Sequence, residues 1–217
     1  MSRYPRILPV GDSAFTVEFG AVIEERLVAQ VQDFEAVLGA HPIPGIRETV
    51  PSYCALLVVY DPQNCPAAVM RRALEQALTL MTGGVHAAGR LIEIPVHYGA
   101  VDGPDLQDVA GFHQLSSEEV IALHTAPTYR VAMLGFAPGF AYLLGLDPRL
   151  ATSRLATPRT HVAPGSVGIA GNQTGVYALS TPGGWRIIGR TPLVLFDPTR
   201  PEPFLVRAGD SVRFVQA

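Results

Sequence analysis

The segment Gly165–Phe196, GSVGIAGNQTGVYALSTPGGWRIIGRTPLVLF, decides how the chain is read. It is a series of short apolar runs, each cut by glycine or proline. The runs SVGIA, GVYAL, WRII and PLVLF are strand-length rather than helix-length, and β-branched and aromatic residues recur in them. The breaks return about every ten residues, a rhythm that suits a compact all-β barrel or sandwich. Outward from this segment, VAMLGF (131–136) and DSVRFVQ (210–216) carry the same pattern across the second half of the chain.

The first half has a different period. Ala14–Phe19 alternates around Phe15, Val17 and Phe19, which predicts a strand. Glu24–Leu38 places Leu27, Val31, Phe34 and Leu38 on one helical stripe, with Gly39 and Pro42 as its stop. Cys54–Tyr60 (CALLVVY) predicts a strand buried on both faces. Pro66 opens a second helix with Met70, Leu74, Ala77 and Met81 as its stripe and Gly83-Gly84 at its end. Leu91–Val96 predicts a third strand. Ser116 and Glu119 form a capping-box signature for a short helix. The expected fold class is therefore α+β. A small N-terminal α/β sandwich covers residues 1–86 and a β domain covers residues 87–217. The boundary is expected near Val85–Leu91, with sharing of the strand there by both halves left open.

Composition limits the function classes. The 217 residues leave room for one or two domains. An apolar fraction of 48% against 16% charged excludes a disordered chain. Glycine and proline, 21 and 19 residues, favour turns and short strands over a helical bundle. A net charge of −3 without an arginine cluster excludes a nucleic-acid binder. Cys54 and Cys65 are too few for a disulfide scaffold, show no metal-ligand spacing, and Cys54 is expected as a buried thiol. The apolar run Cys54–Tyr60 is far shorter than the ~20 residues of a membrane span. Met1–Val10 lacks the apolar core of a signal peptide, so a soluble cytoplasmic protein is expected.

Three segments carry candidate chemistry, each against a structural alternative. LGFAPGFAYLLG (134–145) can expose backbone N–H groups beside Phe136, Pro138, Gly139, Phe140 and Tyr142, or simply turn and pack. In TPRTHVAPGSVGIAGNQTG (157–175), Arg159 can clamp an anion and His161 can act as a base, or both can be surface residues. Ser166, Gln173 and Thr174 supply neutral hydrogen bonds there. PGSVG is not a nucleophile elbow, and the chain has no Walker A motif. In PGGWRIIGRTP (182–192), Trp185 stands beside Arg186, expected to face solvent. Arg190 is either a ligand for an anion or an ion-pair partner of Asp197 or Asp210. His97 ends a strand at a pocket edge or in a hydrogen bond, Asp105 most simply caps a helical turn, and His124 faces a cleft or a helix dipole. No carboxylate pair or triad is spaced to name an acid–base mechanism.

Beyond these readings, the chain resembles the 5-oxoprolinase B-subunit family, also called the KipI or allophanate hydrolase subunit 1 family. YGAVDGPDLQDVA (98–110), LGFAPGFAYL (134–143), AGNQTGVY (170–177) and PGGWRIIGRTP (182–192) carry the resemblance, in that order. Tyr98-Gly99-Ala100, Ala163-Pro164-Gly165-Ser166 and Ala178 depart from the family pattern. The resemblance implies a cyclophilin-like barrel for the second domain. It implies a subunit, inactive alone, of an ATP-dependent 5-oxoprolinase that converts 5-oxo-L-proline to L-glutamate with ADP and phosphate. Its partners would be an allophanate hydrolase subunit 2 (KipA-type) protein and a LamB/YcsF-type protein, and magnesium would arrive with ATP at a shared or partner site. His124, Arg159 and His161 are then the catalytic candidates. His97, Phe136, Pro138, Gly139, Tyr142, Ser166, Gln173, Thr174, Trp185 and Arg190 are the substrate-binding candidates, with no metal ligand. The alternatives are an inhibitor of a sensor histidine kinase, a subunit of a urea- or allophanate-processing enzyme, and a prolyl isomerase.

Overall fold

Strand periodicity in the first half builds one antiparallel sheet. The computed structural model describes residues 4–83 and 89–217 and divides into two compact units, Met1–Ala87 and Ala88–Ala217. Of the boundary region expected near Val85–Leu91, residues 85–88 lie outside the described residues, as does Gly84. The first unit comprises β1 (Arg6–Val10), β2 (Ala14–Glu18), α1 (Glu25–Ala40), β3 (Ile46–Pro51), β4 (Ala55–Tyr60) and α2 (Ala67–Leu78). The strands order as β1-β2-β4-β3, each neighbour antiparallel. The predicted α1 stripe of Leu27, Val31, Phe34 and Leu38 and the α2 residues Met70, Leu74 and Ala77 share a core with Phe15, Val17, Leu56 and Val58, whereas Met81 lies beyond the end of α2 and is half-buried. Each fully buried Leu of that core contributes about 1.5–3 kcal/mol.

Three expectations for this unit are corrected. β1 and β3 were not foreseen; they are the two sheet edges, where Pro9, Pro51 and the polar Arg47-Glu48-Thr49 blur the alternation. β4 is buried on one face only: Leu56, Val58 and Tyr60 are buried, while Ala55, Leu57 and Val59 are half-buried. Cys65 is the buried thiol, whereas Cys54 is half-buried, with burial and then the nearby Glu18 pushing its thiol up.

The second unit contains β5 (Leu91–Tyr98), α3 (Leu106–His113), α4 (Ser117–Thr125), β6 (Tyr129–Leu134), β7 (Ala141–Leu144), β8 (Arg159–Val162), β9 (Ser166–Ala170), β10 (Gln173–Val176), β11 (Thr181–Gly183), β12 (Arg186–Arg190) and β13 (Ser211–Gln216). Seven strands close a barrel in the order β10-β7-β6-β13-β5-β12-β9, and β8 and β11 form a separate two-stranded ribbon. β5 pairs with β12 and β13 and so belongs to the barrel. Its parallel pairing with β13 runs from Ser211↔Leu91 to Gln216↔Val96, joining the unit's first and last strands. Buried Asp210 latches that junction by accepting from the N–H groups of Arg90 and Arg207 and from Arg90 Nη2 at 2.7 Å.

Ile94, Val96, Val131, Leu143, Val167, Ile169, Ile188, Val212 and Phe214 fill the barrel core, with Leu106, Val109 and Val120 of the helices packed on it. The capping box on α4 is present: Glu119 N–H donates to Ser116 Oγ at 3.1 Å and Ser116 N–H to Glu119 Oε2 at 2.7 Å. The run PLVLF is not a strand. It makes a single bridge, Phe196 to Phe204, because Thr191-Pro192 interrupts the ladder.

Candidate functional site

His124 is fully buried in the barrel unit, stacked on Phe214 at 4.5 Å between ring centroids. Thr174 Oγ1 donates to the Gly168 carbonyl at 3.0 Å, so it accepts from His124 Nε2 at 2.9 Å. The proton is thereby placed on Nε2, and Nδ1 accepts from the Tyr98 hydroxyl at 2.8 Å. Burial lowers the imidazole pKa to about 3 and pushes the Tyr98 phenol upward. The Tyr129 hydroxyl completes the chain by donating to the His124 carbonyl at 2.8 Å. A ring with no exposed atom and both nitrogens engaged holds the barrel together. His124 and Thr174, expected as a catalytic and a substrate-binding residue, are thus both buried and hydrogen-bonded to each other.

The arginines expected to hold anions are paired instead. Arg159 Nη2 donates to Asp105 Oδ1 at 2.7 Å, and its Nη1 to the Trp185 carbonyl at 3.4 Å. Asp105 Oδ2 accepts from the Ile187 N–H at 2.6 Å, and the Asp105 N–H returns a bond to the Ile187 carbonyl at 2.9 Å. Asp105 occupies the N-cap position of α3 as expected, but its side chain makes no capping bond: its buried carboxylate straps α3, β12 and Arg159 together. Arg190 pairs with Asp102 at 2.9 Å, not with Asp197 or Asp210, which hold Arg200 and Arg90. Arg186, expected in solvent, pairs with Asp108 at 3.3 Å and lies 5.0 Å from the Phe112 ring. His97 is exposed on β5 opposite Arg190.

What the fold does bring together is an aromatic face. Phe140 stands edge-on to Phe136, Tyr142, Tyr177 and Trp185, with centroids 5.3, 4.8, 5.1 and 5.3 Å away. Val162 of β8 and Ile187 of β12 complete its base. The turn before β7 holds Phe136 in the left-handed region, φ 66°, and the residue is 60% exposed. A bulky residue there costs about 1–2 kcal/mol, the kind of strain that collects at functional sites. Pro138 is exposed beside it, and Gly139 is buried at φ 78°, where a Cβ would meet Phe196 Cβ at 2.6 Å. Arg154 lies over Trp185, 5.9 Å from the ring centroid. Burial pushes the Tyr142 and Tyr177 phenols up, against the Arg154 charge, which favours their phenolates. His161 is exposed on the ribbon, its Nδ1 2.7 Å from Ser180 Oγ. Ser166 and Gln173 are buried on barrel strands.

Gly183 of the ribbon gives the Tyr177 ring its place: a Cβ there would lie 2.8 Å from Tyr177 Cζ. Gly183→Ala is expected to cost about 1–3 kcal/mol in urea denaturation, because the rigid ring cannot yield within the cluster. A loss below ~0.5 kcal/mol would show the ribbon to be loosely attached.

Two clefts lie away from this face. One of about 440 Å³ is lined by Tyr98, Gly103, Leu106, Gln107, Ser117 and Ile121. Another of about 340 Å³, in the first unit, is lined by Glu35, Leu38, Ile43, Ile46, Arg47 and Thr49. Neither contains a candidate site residue. Among the described residues, no group of three or more His, Cys, Asp or Glu is placed to hold a metal ion. No described helix is long and apolar enough to cross a membrane. Sequence reading missed Arg154 and Tyr177; nothing near Arg154 in sequence signals it, because Trp185 lies far along the chain.

Residues 5–206 match the model of the carboxyltransferase domain, subdomain C and D family. The chain is 46% identical over 224 residues to the 5-oxoprolinase B subunit of Bacillus subtilis, covering 99% of this chain and 93% of that protein. It superposes on the crystal structure of the protein TTHA0988 with a TM-score of 0.84 and 39% identity, covering 94% of this chain but 40% of that one. The urea carboxylase of Kluyveromyces lactis shares the fold, with a TM-score of 0.80 at 19% identity, over 97% of this chain and 21% of that chain. With its length nearly covered by the match to the Bacillus subtilis protein and its arginine-strapped barrel carrying the motifs that suggested the resemblance, the chain belongs to the carboxyltransferase domain, subdomain C and D family, among the 5-oxoprolinase B subunits.

Proposed function

We propose that this chain is the B subunit of an ATP-dependent 5-oxoprolinase, which opens 5-oxo-L-proline to L-glutamate with ADP and phosphate. The end-to-end identity to a 5-oxoprolinase B subunit carries the reading. The partners are an allophanate hydrolase subunit 2 (KipA-type) protein and a LamB/YcsF-type protein. That this chain matches only 40% of TTHA0988 supports work beside further protein. The complex belongs in the cytoplasm, where ATP is supplied. The closed barrel with two helices packed on its core supports a cyclophilin-like description of the second unit.

Arg159 and Arg190 do not fit a phosphate clamp, since Asp105 and Asp102 already neutralise them. ATP and magnesium are therefore assigned to a partner or shared site. A lactam is a planar amide and a poor electrophile, so catalysis needs it held and kept from bulk water while it is activated. The aromatic face of Phe136, Pro138 and Tyr142, backed by the buried Trp185, is the part of this chain suited to holding it, with His161 at the exposed ribbon for proton transfer.

Purified partner subunits should release glutamate from 5-oxoproline with ATP only when this chain is added. A complex that assembles and turns over at the same rate without it sinks the reading. Association without turnover moves the substrate to another amide.

A further inference from the structure

Four arginines lie between residues 154 and 190, and three are committed to aspartates: Arg159 to Asp105, Arg186 to Asp108 and Arg190 to Asp102. Arg154 is exposed and has no carboxylate partner among the described residues. Its contact is with an aromatic plane. The guanidinium carbon lies 5.9 Å from the Trp185 centroid, and the Tyr142 ring stands 6.0 Å from the same indole. We propose that Arg154 is a carboxylate-binding residue, taking the acid group of a small ring compound whose body lies against Tyr142.

The chemistry follows from what the guanidinium keeps free. A cation–π contact with the indole takes none of the guanidinium's N–H donors and leaves its fork for a ligand. A carboxylate is the planar anion that accepts that fork in a bidentate pair. Trp185 is itself fixed from beneath, edge-on to Phe140 and Tyr177 and with its carbonyl held by Arg159, so Arg154 rests on a rigid plane. The strained, exposed Phe136 on the same cluster marks this face, not the barrel core, as the working surface. The assignment deepens the proposed function and rests on it for the ligand, since 5-oxoproline is a planar lactam bearing one carboxylate.

The test uses the full chain alone, whose sole tryptophan is Trp185, so its fluorescence reports events above the indole. Three probes separate the two claims: 5-oxoproline, cyclopentanecarboxylate, and 2-pyrrolidinone, which keeps the lactam and lacks the acid. Both carboxylates are expected to change the emission saturably, with 2-pyrrolidinone binding about 10- to 100-fold more weakly. Arg154→Gln should weaken both carboxylates by a similar factor and leave 2-pyrrolidinone unaffected, while Arg154→Lys restores part of the loss. Unchanged melting temperatures for both variants are expected, because Arg154 holds no hydrogen bond among the described residues. No saturable response to either carboxylate, or Arg154→Gln binding like wild type, overturns the proposal. If cyclopentanecarboxylate binds through Arg154 and 5-oxoproline does not, the carboxylate site stands and the 5-oxoprolinase reading falls. If 5-oxoproline binds through Arg154 but the assembled complex shows no turnover, the site stands and the reaction is another one.

Discussion

Lowering the pH from 7 to 4 is expected to remove roughly 3 kcal/mol of stability through His124 alone, at 1.36 kcal/mol per pH unit over about 2.5 units. The imidazole is fully buried and neutral, and burial depresses its pKa from 6.5 to about 3. In the unfolded chain the same ring takes up a proton below its ordinary value. Between those two values the unfolded state binds one more proton than the folded state, so stability falls as pH falls. The contribution is complete above pH 6.5 and lost progressively towards pH 3. Replacing the ring by an uncharged side chain removes this component of the pH dependence. His124→Gln should therefore be less stable than wild type at pH 7, having lost the stacking on Phe214 and at least one of the bonds to Tyr98 and Thr174. The gap between the two proteins should narrow at pH 4. Urea denaturation of both at the two pH values measures it, and a gap of constant size would show that His124 is not the acid-sensitive group.

Breaking the Asp105 strap is expected to cost about 2–4 kcal/mol, the upper part of the range for buried pairs being trimmed because the Arg159 side chain is 30% exposed. Asp105→Asn removes the charge that compensates Arg159 and weakens the acceptor for the Ile187 N–H. Arg159→Ala leaves the buried carboxylate with only a backbone donor and destabilises in turn. Combining Asp105→Asn with Arg159→Ala should cost less than the sum of the two changes, because each single change strands a polar partner. Equilibrium unfolding of the four proteins supplies the cycle. Strict additivity would mean that the 2.7 Å contact carries no coupling.

Much of the fold was legible because local periodicity reports burial directly. The stripes of α1 and α2 became the first unit's core, and the capping box became the start of α4. The edges β1 and β3 were not legible, since an edge strand needs neither alternation nor freedom from proline. The site was less legible still. Arg159, Arg190 and His124 look alike in sequence to anion holders and proton carriers. Asp105 is 54 residues from Arg159, and Thr174 is 50 residues from His124.

By itself the sequence determined the two kinds of architecture and the family, because apolar spacing and turn residues act through the nearest neighbours along the chain. Only the tertiary structure decided which charges are spent and which are free. Electrostatic pairing depends on distance in space, and closure of the barrel sets Asp102, Asp105 and Asp108 against Arg190, Arg159 and Arg186 while leaving Arg154 over Trp185.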